Sequence, residues 1–192
     1  MKNITAILLS GGKSLRMGQD KGFLSFEGKY LVERMLDLLS PIFAQILIVA
    51  HKPEYQQFGY PVYADIIAEK GPLGGIYTGL SHSQTENNFV ISVDMPFVLA
   101  EAIEYLLSKI TPDTIHAAQN QAHFQPLFAY YPKSLLPILE ACLSQNQLKL
   151  IQFVQENPHK WWDMTEFETE NPLLFWNLNT QEQLKMIQNR EI

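Results

Sequence analysis

A chain of 192 residues with 46% hydrophobic and 18% charged side chains has the composition of a folded globular protein and fits a single domain, 1–192, rather than a disordered segment. Its 14 basic and 20 acidic residues leave a net charge of −6, without the basic excess of a nucleic-acid binder. One cysteine precludes an internal disulfide, no Cys/His group has zinc spacing, and no apolar run has the length of a signal segment or membrane span. The expectation is a cytoplasmic protein that binds neither nucleic acid nor membrane.

In chain order, the apolar run 4–9 reads as a strand buried on both faces. It delivers Leu9-Ser10-Gly11-Gly12-Lys13-Ser14-Leu15-Arg16-Met17-Gly18-Gln19-Asp20-Lys21. Glycines let backbone amides approach a ligand, and the basic residues add charge, so the stretch reads as a polyphosphate site. It is not a Walker A loop, because Ile7 stands where the first glycine is needed. Nor is it a dinucleotide fingerprint, because Lys13 replaces the second glycine. A solvated loop with incidental lysines is the bland alternative.

Residues 31–39 predict a helix ended by Pro41, and 46–50 a second strand. Asp65 follows Pro61-Val62-Tyr63-Ala64 and reads equally as a ligand group or a helix cap. Gly71-Pro72-Leu73-Gly74-Gly75-Ile76 opens a further helix with proline in its first turn. Gly74, Gly75 and Gly79 allow close approach to a ligand or simply to another backbone. Residues 89–93 predict a strand closed by Asp94-Met95-Pro96-Phe97. A carboxylate at the carboxyl end of a central parallel strand lies at the ligand edge of such sheets, and magnesium favours one or two carboxylates plus phosphate oxygens. Asp94 is therefore a magnesium candidate, with capping of the next turn as the alternative.

An apolar stripe at 99, 102, 103, 106, 107 and 110 marks another helix. Strands at 115–118 and 127–131 flank a hairpin turn at Asn120-Gln121, which predicts one antiparallel strand. Helices follow at about 134–143 and 180–187, the latter with Thr180 and Gln183 at capping-box spacing. Together these elements predict an α/β fold, a Rossmann-like three-layer arrangement with a mostly parallel sheet. The five histidines are scattered and read as surface or structural. Trp161-Trp162 and Phe175-Trp176 read as core pairs, with stacking on a flat ring as the alternative.

Taken together, L-S-G-G-K-S-L-R-M-G-Q-D-K at 9–21, G-P-L-G-G at 71–75 and D-M-P at 94–96 resemble the molybdenum cofactor guanylyltransferase family. Phe175-Trp176-Asn177-Leu178-Asn179-Thr180 is similar to a motif near that family's C-terminus, and Gln125-Pro126-Leu127 to its segment before a strand. The resemblance implies a nucleotidyltransferase fold and transfer of GMP from Mg-GTP to the terminal phosphate of molybdopterin, with release of pyrophosphate. It implies that Leu9, Gly11 and Gly12 line the nucleotide, that Lys21 holds its phosphates and that Asp65 sits near it. Asp94 would bind Mg²⁺, and Asn177 and Asn179 would face the pterin. Arg16 would be a catalytic contact or an anchor of the loop. Molybdoenzymes or their chaperones are the implied partners.

Two departures stand out. Ser10 replaces the usual alanine, and Val49-Ala50-His51-Lys52 stands where the family often has N-A-N-R, so no nucleotide contact is carried over there. The rivals are a related nucleotidyltransferase with another base or acceptor, such as a molybdopterin cytidylyltransferase, and a non-catalytic GTP-binding partner of molybdoenzymes. Gly12 favours the larger purine. An attacking phosphate is already ionised and needs no strong base, which suits a site without a histidine centre.

Overall fold

A computed structural model describes residues 3–11, 20–120, 123–178, 180, 183 and 186. The first strand, β1 (Ile4–Leu9), is buried along its whole length. A small antiparallel ribbon, β2 (Ser25–Phe26) and β3 (Lys29–Tyr30), leads into α1 (Leu31–Leu39), whose first turn is closed by the Tyr30 amide donating to Glu33 at 2.7 Å. Then come β4 (Gln45–Val49), the short β5 (Val62–Tyr63), α2 (Gly71–His82), β6 (Asn87–Ser92) and α3 (Ala100–Leu107). The hairpin β7 (Ile115–Asn120) and β8 (His123–Pro132) precedes α4 (Leu136–Ser144), α5 (Leu150–Glu156), β9 (His159–Asp163) and α6 (Thr165–Glu170).

Seven strands form one sheet in the order β5-β4-β1-β6-β8-β7-β9. β1 pairs in parallel with β4 and β6, β4 with β5, and β7 with β9, while β8 runs against both its neighbours. This is the expected mostly parallel sheet with one antiparallel strand. Successive β1 side chains serve opposite faces, as strand geometry dictates. Ile4, Ala6 and Leu8 join one core with Met35 and Leu39 of α1 and Ile103 and Leu106 of α3. Ile7 and Leu9 join a second core with Leu73 and Ile76 of α2, Leu139 of α4 and Phe153 of α5. Helices thus cover both faces, giving three layers.

The expected strands and the 31–39 helix are present. The 99–110 helix is shorter than its stripe, because the Ser108 amide already closes it on Glu104 at 2.9 Å. The 134–143 helix begins with a 3₁₀ turn, Lys133–Leu135. The expected helix at about 180–187 lies largely outside the described residues, but the Gln183 amide donates to the Thr180 hydroxyl and the Thr180 amide to the Gln183 side chain, both at 3.1 Å, which is the predicted capping box. Six elements had no clear sequence signal: β2, β3, β5, α5, β9 and α6. Each is short, and β9 carries the tryptophan pair on the sheet's edge. Trp162 donates its indole N–H to buried His116 at 2.9 Å, and the Trp161 ring lies 4.5 Å from Phe124, so both pack within the protein.

Candidate active site

From β1 the chain moves through β4 and β5 on one side, then returns to place β6 on the other. A sheet reverses order at such a point, and ligands settle beyond the carboxyl ends of its strands. The Ser10 amide donates to Val49 and the Val93 amide to Leu9, both at 2.9 Å, so the exits of β1, β4 and β6 are bonded to one another. Those exits lead to Gly11, His51, Asp65 and Asp94. A groove of about 590 Å³ opens at the opposite edge, lined by residues including Thr5, Phe43, Gln45, Tyr60, Tyr63 and His82. Its lining has no carboxylate or lysine, whereas the carboxyl edge has both, which makes that edge the candidate site.

The centre of that edge is an ion pair. Lys21 Nζ lies 2.9 Å from Asp94 Oδ2, with side chains 27% and 15% exposed. The Ser92 hydroxyl donates to the other oxygen, Oδ1, at 2.6 Å. Lys21 opens a 3₁₀ turn, Lys21–Phe23, capped by Asp20, whose Oδ1 accepts the Gly22 amide at 3.0 Å. Asp94 does not cap α3, whose N-cap is Leu99. Its backbone carbonyl instead accepts the Leu178 amide at 2.8 Å, and Asn171 donates to the Phe97 carbonyl at 2.9 Å. Buried Leu174 and Leu178 anchor this late segment, which brings Asn177 beside Asp94.

Asp65 forms the second feature. α2 begins at Gly71 with Lys70 as its N-cap, so Asp65 is not that helix's cap. Its Oδ2 lies 3.2 Å from His51 Nε2, while Oδ1 is sealed from solvent and has no hydrogen-bond partner. Burial raises the carboxyl above its ordinary pKa, an effect that His51 opposes. A methyl group on Gly75 would sit 3.3 Å from Leu9 and 3.9 Å from Asp65 Oδ1, so Leu9, Gly75 and Asp65 share one surface. Gly11 has open space where a side chain would stand. The other helix glycines are packing positions: a methyl group on Gly79 would collide with Ile7, and one on Gly74 would lie 2.8 Å from Lys70 Cβ.

Leu9, Gly11, Lys21, Asp65, Asp94 and Asn177 thus gather at the carboxyl edge of the sheet. Gly12, Arg16 and Asn179 lie outside the described residues. Sequence reasoning missed four contributors: His51, Ser92, Asp20 and Tyr55. His51 and Ser92 carry a positional signal, since one follows β4 and the other ends β6. Tyr55 carries none, because its partners Ser10 and Asp20 are distant in sequence. Among the described residues no three His, Cys, Asp or Glu side chains converge as a metal cage.

Residues 6–160 match the model of the MobA-like NTP transferase domain. A probable molybdenum cofactor guanylyltransferase of Flavobacterium johnsoniae is 35% identical over 187 residues, covering 96% of each chain. The molybdenum cofactor guanylyltransferase of Vibrio vulnificus is 36% identical over 93% of this chain and 91% of its own. Among solved structures, molybdopterin-guanine dinucleotide biosynthesis protein A from Archaeoglobus fulgidus superposes with a TM-score of 0.78 at 25% identity, covering 94% of this chain and 95% of that one. The carboxyl-edge site, the three-layer sheet and these full-length similarities place the chain in the MobA-like NTP transferase family, as a nucleotidyltransferase of the molybdenum cofactor guanylyltransferase type.

Proposed function

We propose that this protein transfers GMP from GTP to the terminal phosphate of molybdopterin, forming molybdopterin guanine dinucleotide and releasing pyrophosphate. The observation that carries this reading is the kinship with guanylyltransferases over nearly the whole chain. The geometry is what such chemistry needs. Two anions must meet, so positive charge has to be held where they join. Lys21 supplies it from a turn capped by Asp20, poised against Asp94 at 2.9 Å.

Asp94 fits a hard cation such as Mg²⁺. It is one partly exposed carboxylate, each of whose oxygens accepts a bond from Lys21 or Ser92, and ligand phosphates would complete the shell. The bound cation would withdraw charge from the phosphates at the reacting phosphorus. As nucleotide enters, the Lys21 ammonium shifts from Asp94 to the triphosphate and stabilises charge there as pyrophosphate leaves. The acceptor phosphate attacks in its ionised form, so no side chain need remove a proton. Leu9, Gly11, Gly12 and Asp65 form the nucleotide half of the site, and Asn177 and Asn179 the pterin half. Arg16 adds positive charge to the glycine-rich stretch as a catalytic contact or an anchor of the loop.

The whole chain acts as one nucleotidyltransferase domain. Among the described residues no helix is long and apolar enough to cross a membrane, and we place the protein in the cytoplasm, where GTP is available, with molybdoenzymes or their chaperones receiving the product. The test is acceptor-dependent pyrophosphate release with Mg²⁺ and each of the four nucleoside triphosphates. Release with GTP at least tenfold above the others is expected. Preference for CTP would reassign the base, and GTP binding without release would make the protein a binder only.

A further inference from the structure

Tyr55 sits in the 3₁₀ turn Pro53–Phe58 and is wholly buried, yet its hydroxyl is not idle. It donates to Asp20 Oδ1 at 2.6 Å and is hydrogen-bonded to the Ser10 hydroxyl. With the phenol proton committed to Asp20, Ser10 donates to the phenol oxygen. Ser10 is the first residue beyond β1, and its amide is fixed to Val49 of β4. Asp20 caps the turn that Lys21 opens, so one buried phenol joins the end of β1 to the base of that turn. Phe23 packs its ring 4.7 Å from Tyr55, and a side chain on Gly22 would collide with the phenol oxygen, so the turn is pressed against this group. Burial and the neighbouring carboxylate push the phenol well above its ordinary pKa of 10, which keeps it a donor. The Ser10 hydroxyl thus gives the phenol a second partner at the end of β1.

We infer that Tyr55 is a positioning residue for the nucleotide site: through Asp20, and braced by Ser10, it sets where Lys21 meets the triphosphate. This role rests on the placement of Lys21 in the GTP site proposed above. A charge-assisted hydrogen bond to a largely buried carboxylate is among the stronger ones, and its loss leaves Asp20 Oδ1 with the Gly22 amide alone, while Lys52, 3.9 Å from Oδ2, is free to draw the carboxylate its way. Only a fraction of molecules would then hold Lys21 in its binding position, and apparent affinity falls by that fraction.

The test is a double-mutant cycle on the dissociation constant of Mg-GTP, using wild type, Tyr55→Phe, Lys21→Ala and the double variant, with thermal midpoints measured alongside. Tyr55→Phe is expected to weaken GTP about tenfold in the wild-type background and less than twofold in the Lys21→Ala background. Equal losses in both backgrounds, or binding by Tyr55→Phe within twofold of wild type, would overturn the inference. A role in folding alone would lower the thermal midpoint and leave the two effects additive. Should Tyr55→Phe not fold, Asp20→Asn serves the same cycle. Asparagine also caps, and a loss of about threefold that vanishes without Lys21 is expected; an undiminished loss contradicts the assignment. Wild type that binds no GTP would remove the functional reading and this role together, whereas a GTP-binding wild type with an indifferent Tyr55→Phe removes only the role.

Discussion

Two carboxylates at the carboxyl edge of the sheet have opposite surroundings, and the difference separates their roles. Asp94 is held by Lys21 and Ser92 and remains partly open, as its proposed meeting with a cation and phosphates requires. Replacing Asp94 or Lys21 by alanine is expected to leave the fold intact, as seen by circular dichroism, and to lower turnover about a hundredfold or more in a pyrophosphate-release assay. Near wild-type turnover in folded Asp94→Ala would contradict the magnesium assignment. Asp65 instead keeps one oxygen buried without a partner, which raises its pKa above the ordinary 3.8. Between 3.8 and that raised value the folded protein binds more protons than the unfolded chain, so stability falls as pH rises through the window. Asp65→Asn should therefore melt higher than wild type at neutral pH. Its advantage should shrink as pH falls towards 3.8, while GTP binding weakens.

At the scale of elements, α2 shows how packing and chemistry share one helix. Gly75 faces Leu9 and Asp65, but Gly79 lies against Ile7 of β1 with no room for a side chain. Gly79→Ala should cost about 1–3 kcal/mol in denaturant unfolding through overpacking; a cost near zero would mean that the helix moves away easily. β1 and α1 were legible in the sequence, the first from a continuous apolar run and the second from helical spacing of its apolar residues. Asp94 and Lys21 could be singled out as candidates from a strand end and a glycine-rich loop, but the 3₁₀ turn that Lys21 opens had no sequence signal. The helix-capping reading of Asp65 gave way only when the start of α2 was seen. Tyr55 was not legible, since its contacts with Ser10 and Asp20 join segments far apart in the chain. β9 escaped because an edge strand of mixed aromatic and charged residues has neither alternation nor a continuous apolar run.

Over the whole molecule, one sheet separates two cores and carries the candidate site on a single edge, so that, Asp65 apart, stability and chemistry are expected to fall to different groups. Buried His116 belongs to the first kind. Burial and Lys160 lower its pKa from 6.5, and Trp162 donates to its Nδ1, which holds the ring neutral. Unfolded chains take up the proton that the folded ring refuses, so stability falls as pH drops below 6.5. His116→Gln should flatten the fall in thermal midpoint just below that pH without altering GTP affinity; an unchanged slope would show that other groups govern acid sensitivity. The nucleotide edge belongs to the second kind, and its defining act is transfer of the α-phosphorus to an acceptor. The most direct measurement follows GTP labelled at that phosphorus, incubated with Mg²⁺ and molybdopterin. The label is expected in the molybdopterin dinucleotide, with one pyrophosphate released for each dinucleotide formed. Label that remains in GTP or appears only in free GMP, whatever the affinity for GTP, would contradict the account.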